Sequence, residues 1–168
     1  MSSPPAAPRH RAFVGLGANV GDAPATLAQA LRDLATLPGT RLVTASALYR
    51  SAPVDAPGPD FFNLVAELET ADSPQALLAQ LQRIEQRHGR LRPFHHAPRT
   101  LDLDLLMHGD TELETPVLTL PHPRMHVRAF VLRPLAEIAP DLVIPGRGAL
   151  SGLLPALVDQ PIERIPLP

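Results

Sequence analysis

An α+β sandwich of the ferredoxin-like kind is predicted by three features of the sequence. Two apolar stripes at helical spacing follow Asp22 and Ser73. Short apolar or alternating runs, read as strands, lie before, between and after them. Their order, β-α-β-β-α-β, is that of a split βαβ unit. One domain over residues 1–168 is expected, with 1–11 as a flexible tail and further helix and strand elements at the C-terminal end.

Each element has a local reason. Residues 12–17 (AFVGLG) form an apolar run that stops at a Gly-Ala-Asn-Val-Gly-Asp turn, as a buried first strand would. Asp22 is placed to cap the next helix, Pro24 suits its first turn, and Leu27, Ala30, Leu31 and Leu34 give it one apolar face before Pro38-Gly39 ends it. Residues 41–50 (RLVTASALYR) read as one strand, and a proline-laden loop follows at 52–59. Alternation in 61–69 (FFNLVAELE) puts Phe62, Leu64, Ala66 and Leu68 on one strand face. Ser73-Pro74 starts a second helix, with Leu77, Leu78, Leu81, Ile84 and Glu85 on one stripe up to Gly89. Residues 100–108 (TLDLDLLMH) alternate again, residues 118–123 lie in a loop, and 129–138 read as a third helix. A short apolar helix at 150–158 and a strand at 162–165 complete the chain.

Composition excludes several kinds of chemistry. A net charge of −2 offers no general attraction to nucleic acid or anionic lipid, and no apolar run approaches the ~18 residues of a membrane span. The absence of cysteine removes disulfides and thiolate metal sites, so a cytoplasmic setting is expected. All 15 basic residues are arginine. Without lysine there is neither a Walker A loop nor a Schiff base, so phosphate would be held by arginine, backbone NH groups or metal.

The chemistry-bearing segment is PRTLDLD at 98–104. Leu101, Leu103 and Leu105 face one way, and Thr100, Asp102 and Asp104 the other. Two carboxylates on one strand face stand roughly 6–7 Å apart at the backbone, from a rise of ~3.3 Å per residue. That spacing suits one cation or a closely spaced pair, and hard oxygen ligands favour Mg²⁺. Alternating Asp and Leu is also the ordinary pattern of a solvated strand face. The neighbourhood favours function: Arg83, Arg87, Arg90, Arg92 and Arg99 fall within 17 residues. Arg83 and Arg87 read as a solvated helix face, whereas Arg90, Arg92 and Arg99 lie beside the aspartates and can grip phosphate bidentately. Asn63 interrupts an apolar strand with an amide suited to a flat heterocycle. Phe61, Phe94 and Phe130 are candidate stacking faces, and His122, rigidly held in LPHP, is a candidate phosphate contact near Arg128.

Taken together these motifs resemble the 6-hydroxymethyl-7,8-dihydropterin pyrophosphokinase family of folate biosynthesis. The likeness rests on VGLGANVGD (14–22), YRSAPV (49–54), FFN (61–63), QRIEQRHGR (82–90), PRTLDLDLL (98–106) and LPHPRMHVRAFVLRPLAEIAP (120–140). It implies the ferredoxin-like fold and transfer of the β,γ-pyrophosphoryl group of ATP to a pterin hydroxymethyl oxygen, leaving AMP. It further implies that Asp102 and Asp104 hold two Mg²⁺ ions on the triphosphate, with Arg90 and Arg92 also catalytic. Gln82, Arg90, Arg92, Arg99, Thr119, His122 and Arg128 would bind the nucleotide; Ser51, Ala52, Val54, Phe61, Asn63, His96 and Phe130 would enclose the pterin. His96 stands where many relatives carry tryptophan, and Val117 where some carry a basic residue. The loops at 52–59 and 91–97 lie where a closing lid would exclude water.

A monomer acting on two small molecules, with no nucleic-acid or membrane partner, is therefore expected. Two rivals are weaker. An RNA-binding ferredoxin-like module would show exposed aromatics on its sheet, against 4 % aromatic residues here. A metal-dependent phosphohydrolase would carry further His/Asp clusters at metal-ligand spacing.

Overall fold

Strand β1 (His10–Ala18) is an interior strand of the main sheet. It pairs antiparallel with β4 (Phe61–Thr70) on one side and with β5 (Asp102–His108) on the other. The sheet was obtained as a computed structural model, which describes residues 9–53, 57–89 and 100–166. Helix α1 (Ala23–Ala35) joins β1 to β2 (Thr40–Ala45), and α2 (Pro74–Gly89) joins β4 to β5. The β-α-β-β-α-β order read from the sequence is found with one strand more between the two helices, and the strand pairs of this sheet are all antiparallel.

The helices start for the reasons their sequences suggest. The Asp22 carboxylate accepts from Ala25 N at 3.2 Å, and the Ser73 hydroxyl accepts from Ala76 N at 3.1 Å, each satisfying an orphan donor of the first turn. Both helices lay their stripes on one face of the sheet. Leu27, Ala30 and Leu34 of α1 and Leu77, Leu81 and Ile84 of α2 are buried against Val14, Leu16, Leu64, Leu68, Leu103 and Leu105. The other face is covered by α3 (Ala129–Ile138) and the chain after it, packed on Phe13, Val65, Leu106 and Met107. A bulge makes this possible. Phe13 faces Met107 and Val14 faces Leu105, so Leu106 is the extra residue, and it joins Met107 on the α3 face.

Three expectations are corrected. The first strand begins at His10, so His10 and Arg11 belong to the sheet: they pair with Thr70 and Glu69, and Arg11 bonds Glu67 at 3.0 Å. The single strand expected at 41–50 is two, β2 and β3 (Leu48–Ser51), both lying along β4. Buried Ser46 is the cause. Its hydroxyl accepts from Val65 N at 3.0 Å and donates to Ala47 O at 2.8 Å, taking a ladder carbonyl's place. The loop expected at 118–123 carries β7 (Thr119–Leu120), which pairs with β6 (Leu113–Glu114). A second small hairpin joins β8 (Val143–Ile144) to β9 (Gly148–Ala149).

The C-terminal elements follow as α4 (Leu150–Leu153), a 3-10 turn (Leu154–Leu157) and β10 (Glu163–Ile165), which pairs with β3. Among the described residues no helix is long and apolar enough to cross a membrane.

Candidate active site

Two glycines open the floor of a cavity. Gly15 and Gly17 sit in β1 directly opposite Asp104 and Asp102 of β5, and Gly17 is also opposite Asn63 of β4. Space above Gly17 is already taken: a Cβ there would lie 2.6 Å from Asn63 Oδ1. Glycine in a strand interior marks such close approach, and the bare backbone lets the Asn63 amide come close against the strand. The cavity above them measures about 750 Å³. β5 stands at the edge of the sheet, so Asp102 and Asp104 are exposed while Leu101, Leu103 and Leu105 are buried beneath.

Other elements supply the walls. Ser51, Ala52 and Pro53 leave the end of β3, Phe61 and Asn63 come from β4, and Arg128, Phe130 and Val131 from the start of α3. Phe61 is 42 % exposed, which leaves a ring face at the mouth. The Arg128 guanidinium carbon lies 5.3 Å from the centre of the Phe130 ring, within cation–π range. The cavity wall therefore carries carboxylates, one arginine and apolar or aromatic surface together.

His122 adds a donor beside this pair of charges. Its backbone NH bonds Leu106 O at 2.9 Å, following the cis Leu120–Pro121 bond. Its Nδ1 accepts from Arg124 N at 3.1 Å, so the neutral ring carries its proton on Nε2. Burial holds the imidazole below its ordinary range; Asp104 opposes this, and the charges of Arg128 and Arg124 add to it.

The structure thus brings together Asp102, Asp104, Arg128, Ser51, Ala52, Phe61, Asn63 and Phe130, with His122 alongside. Gln82 and Thr119 do not line the cavity. Gln82 is exposed on α2 and Thr119 is half-buried on β7, each on an element that packs against β5. Val54, Arg90, Arg92, His96 and Arg99, with Phe94, lie outside the described residues.

Sequence reasoning missed three contributors. The VGLG glycines carried a signal, two residues without side chains on one face of a buried strand. Glu85 was read as part of the α2 stripe, yet its carboxylate accepts from Leu103 N at 2.9 Å, holding β5 between its two aspartates. Asp159, Gln160, Pro161 and Ile162 form a further wall, and nothing local in their sequence points to it.

The Asp pair suits a divalent cation shared with a substrate. Among the described residues no group of three or more His, Cys, Asp or Glu side chains is placed to hold a metal alone. Two exposed carboxylates are the set Mg²⁺ uses when water and substrate phosphates complete its shell.

Comparison with known proteins agrees with the geometry. The profile of the 7,8-dihydro-6-hydroxymethylpterin-pyrophosphokinase (HPPK) family matches residues 13–140. A Synechocystis sp. protein named 2-amino-4-hydroxy-6-hydroxymethyldihydropteridine pyrophosphokinase is 48 % identical over 139 residues, covering 83 % of this chain and 71 % of its own. The Pseudomonas aeruginosa protein of that name is 46 % identical over 157 residues, covering 93 % and 97 %. In fold, the chain is similar to the crystal structure of wild-type Plasmodium falciparum HPPK-DHPS. The TM-score is 0.68 at 15 % identity, over 87 % of this chain and 44 % of that one. With its ferredoxin-like sheet and this degree of likeness along most of its length, the chain belongs to the 7,8-dihydro-6-hydroxymethylpterin-pyrophosphokinase family, the ATP-dependent pyrophosphokinases of folate biosynthesis.

Proposed function

We propose that the cavity between β1, β5 and α3 is where this chain transfers pyrophosphate from ATP to the hydroxymethyl group of 6-hydroxymethyl-7,8-dihydropterin. The observation that carries this reading is the shared wall. Asp102 and Asp104 open onto the same 750 Å³ space as Asn63, Phe61 and Phe130, with Arg128 at its corner. A metal-bound triphosphate and a flat heterocycle would meet there.

On the pterin side, the Asn63 amide donates and accepts along a heterocycle edge, while Phe61 and Phe130 offer ring faces. Ser51 and Ala52 close the rim with backbone groups, and Val54 and His96 belong to the same proposed enclosure. On the nucleotide side, Arg128 and the Nε2–H of His122 face developing phosphate charge. Arg90, Arg92 and Arg99 are proposed to join them, Arg90 and Arg92 as catalytic groups. Gln82 and Thr119 are proposed contacts further out, where α2 and β7 flank β5. Asp102 and Asp104 would hold Mg²⁺, two ions in the proposal, and the metal would supply positive charge to offset the triphosphate and polarise the β-phosphorus.

The reaction is an in-line displacement. The hydroxymethyl oxygen forms a bond to the β-phosphorus as the bond from that phosphorus to the α,β-bridging oxygen breaks. AMP leaves and the hydroxyl proton passes to solvent. Positioning and fixed charge do most of the work in such transfers, which fits a site rich in arginine and carboxylate and without an evident strong base. A single domain acting as a monomer is part of this proposal. A cysteine-free chain needs no oxidising compartment, which supports a cytoplasmic setting.

Purified protein supplied with ATP, Mg²⁺ and the hydroxymethyl-dihydropterin should yield AMP in step with the pterin diphosphate. ADP or free phosphate as the stoichiometric product would sink the proposal.

A further inference from the structure

Four residues of the cavity wall, Asp159 to Ile162, lie beyond residue 140, where the family match ends. One of them is bonded to the corner that carries Arg128. The Gln160 side-chain carbonyl accepts from Ala129 N at 2.8 Å, and its NH₂ donates to Val127 O at 2.9 Å. These are the two peptide groups on either side of Arg128. No side chain of the chain's own N-cap residue does this, because Arg128 occupies the cap of α3 and makes no capping bond.

We infer that Gln160 is a positioning residue for Arg128, acting through the backbone on both sides of it. Arg128 leaves the cap in an extended conformation, φ −119° and ψ 114°, so the direction of its side chain depends on how the 127–129 peptides are held. The Gln160 amide bonds both, and a planar amide leaves little freedom to rotate one peptide without losing the other bond. Gln160 is itself held on both sides. The 3-10 turn ahead of it is anchored by Leu157, 5 % exposed, and by the bond from Gln160 N to Leu157 O at 3.0 Å. Beyond it, β10 pairs with β3, and Arg164 Nε bonds Glu137 of α3 at 3.0 Å. The strap therefore closes on α3 at both ends, with Gln160 at the helix start and Arg164 at the last turn.

This inference rests on the reading of Arg128 as a phosphate-side cation, so the test separates the two. Gln160→Ala, Arg128→Ala and the double variant are compared by kcat and KM for ATP, with thermal unfolding of each. Gln160→Ala should lower kcat/KM for ATP about tenfold. The same change should cost nothing further in the Arg128→Ala background, since a group acting through Arg128 has nothing left to position. Gln160→Glu, which keeps the acceptor for Ala129 N and loses the donor to Val127 O, should fall between. An impaired Arg128→Ala with Gln160→Ala silent or fully additive overturns the positioning role and leaves the Arg128 assignment standing. Arg128→Ala at wild-type activity overturns both.

Discussion

Gly17→Ala should separate pterin binding from stability. The added methyl would stand 2.6 Å from Asn63 Oδ1, where ordinary C···O contact begins at about 3.3–3.6 Å. Gly17 has no left-handed backbone to forbid alanine, and Asn63 is half-buried, so the amide swings away by about 0.7–1 Å while the strand keeps its place. A hydrogen bond is worth about 0.5–1.5 kcal/mol net, so losing two to the heterocycle costs about 1–3 kcal/mol. That is about a 5- to 150-fold rise in pterin Kd or KM. Stability should hold to within about 1 kcal/mol, because alanine in a strand is favoured over glycine by ~0.5–1 kcal/mol and offsets the displaced amide. Steady-state kinetics with each substrate varied, together with denaturant unfolding, reads both quantities. The ATP KM should move little, and in an Asn63→Ala background Gly17→Ala should cost nothing more. Wild-type pterin KM in Gly17→Ala, with Asn63→Ala impaired, would refute the reasoning.

Three further outcomes are expected. Asp104→Asn should lose turnover by about a hundredfold or more, the scale of removing one group aimed at transition-state charge. Its melting curve should stay close to wild type, since Asp104 is exposed at a sheet edge. Burial raises the Asp33 carboxyl, but bonds from His88 at 2.9 Å and Gln29 at 3.0 Å and the charges of His88 and Arg87 hold it below its ordinary value overall. A depressed carboxylate stabilises the fold above its unfolded value and loses that contribution as pH falls through the folded one. Acid unfolding monitored below about pH 4 should therefore be less steep in Asp33→Asn, and an unchanged slope would count against the α1–α2 link. Glu137 accepts from Tyr49 Oη at 2.7 Å, Ala47 N at 2.9 Å and Arg164 Nε at 3.0 Å. Glu137→Gln leaves too few acceptors and should cost about 1–3 kcal/mol in urea unfolding. The Tyr49 hydroxyl, pushed up to about 12 by burial and by Glu137, should titrate lower in that variant, which ultraviolet titration would show.

Much of the site was legible before the fold. Alternation in TLDLDLL placed both aspartates on one face because strand side chains alternate strictly, and the edge position of β5 left that face wet. Asp22 and Ser73 began helices because short polar side chains satisfy free backbone donors. The break between β2 and β3 was not legible. RLVTASALYR has strand character throughout, and only the partner strand decides that Ser46 bonds across to Val65.

The sequence by itself determined the main helices and most strands flanking them, the acidic pair and its arginine-rich company, and the family motifs, all of which depend on neighbours within a few residues. Tertiary structure alone decided that Gly15 and Gly17 lie opposite Asp104 and Asp102 on the neighbouring strand, and that Asn63 fills the space over Gly17. It alone brought Gln160 to the peptides flanking Arg128. These contacts span tens of residues along the chain. Strand register and helix docking create them, and neither is written in any local pattern of side chains.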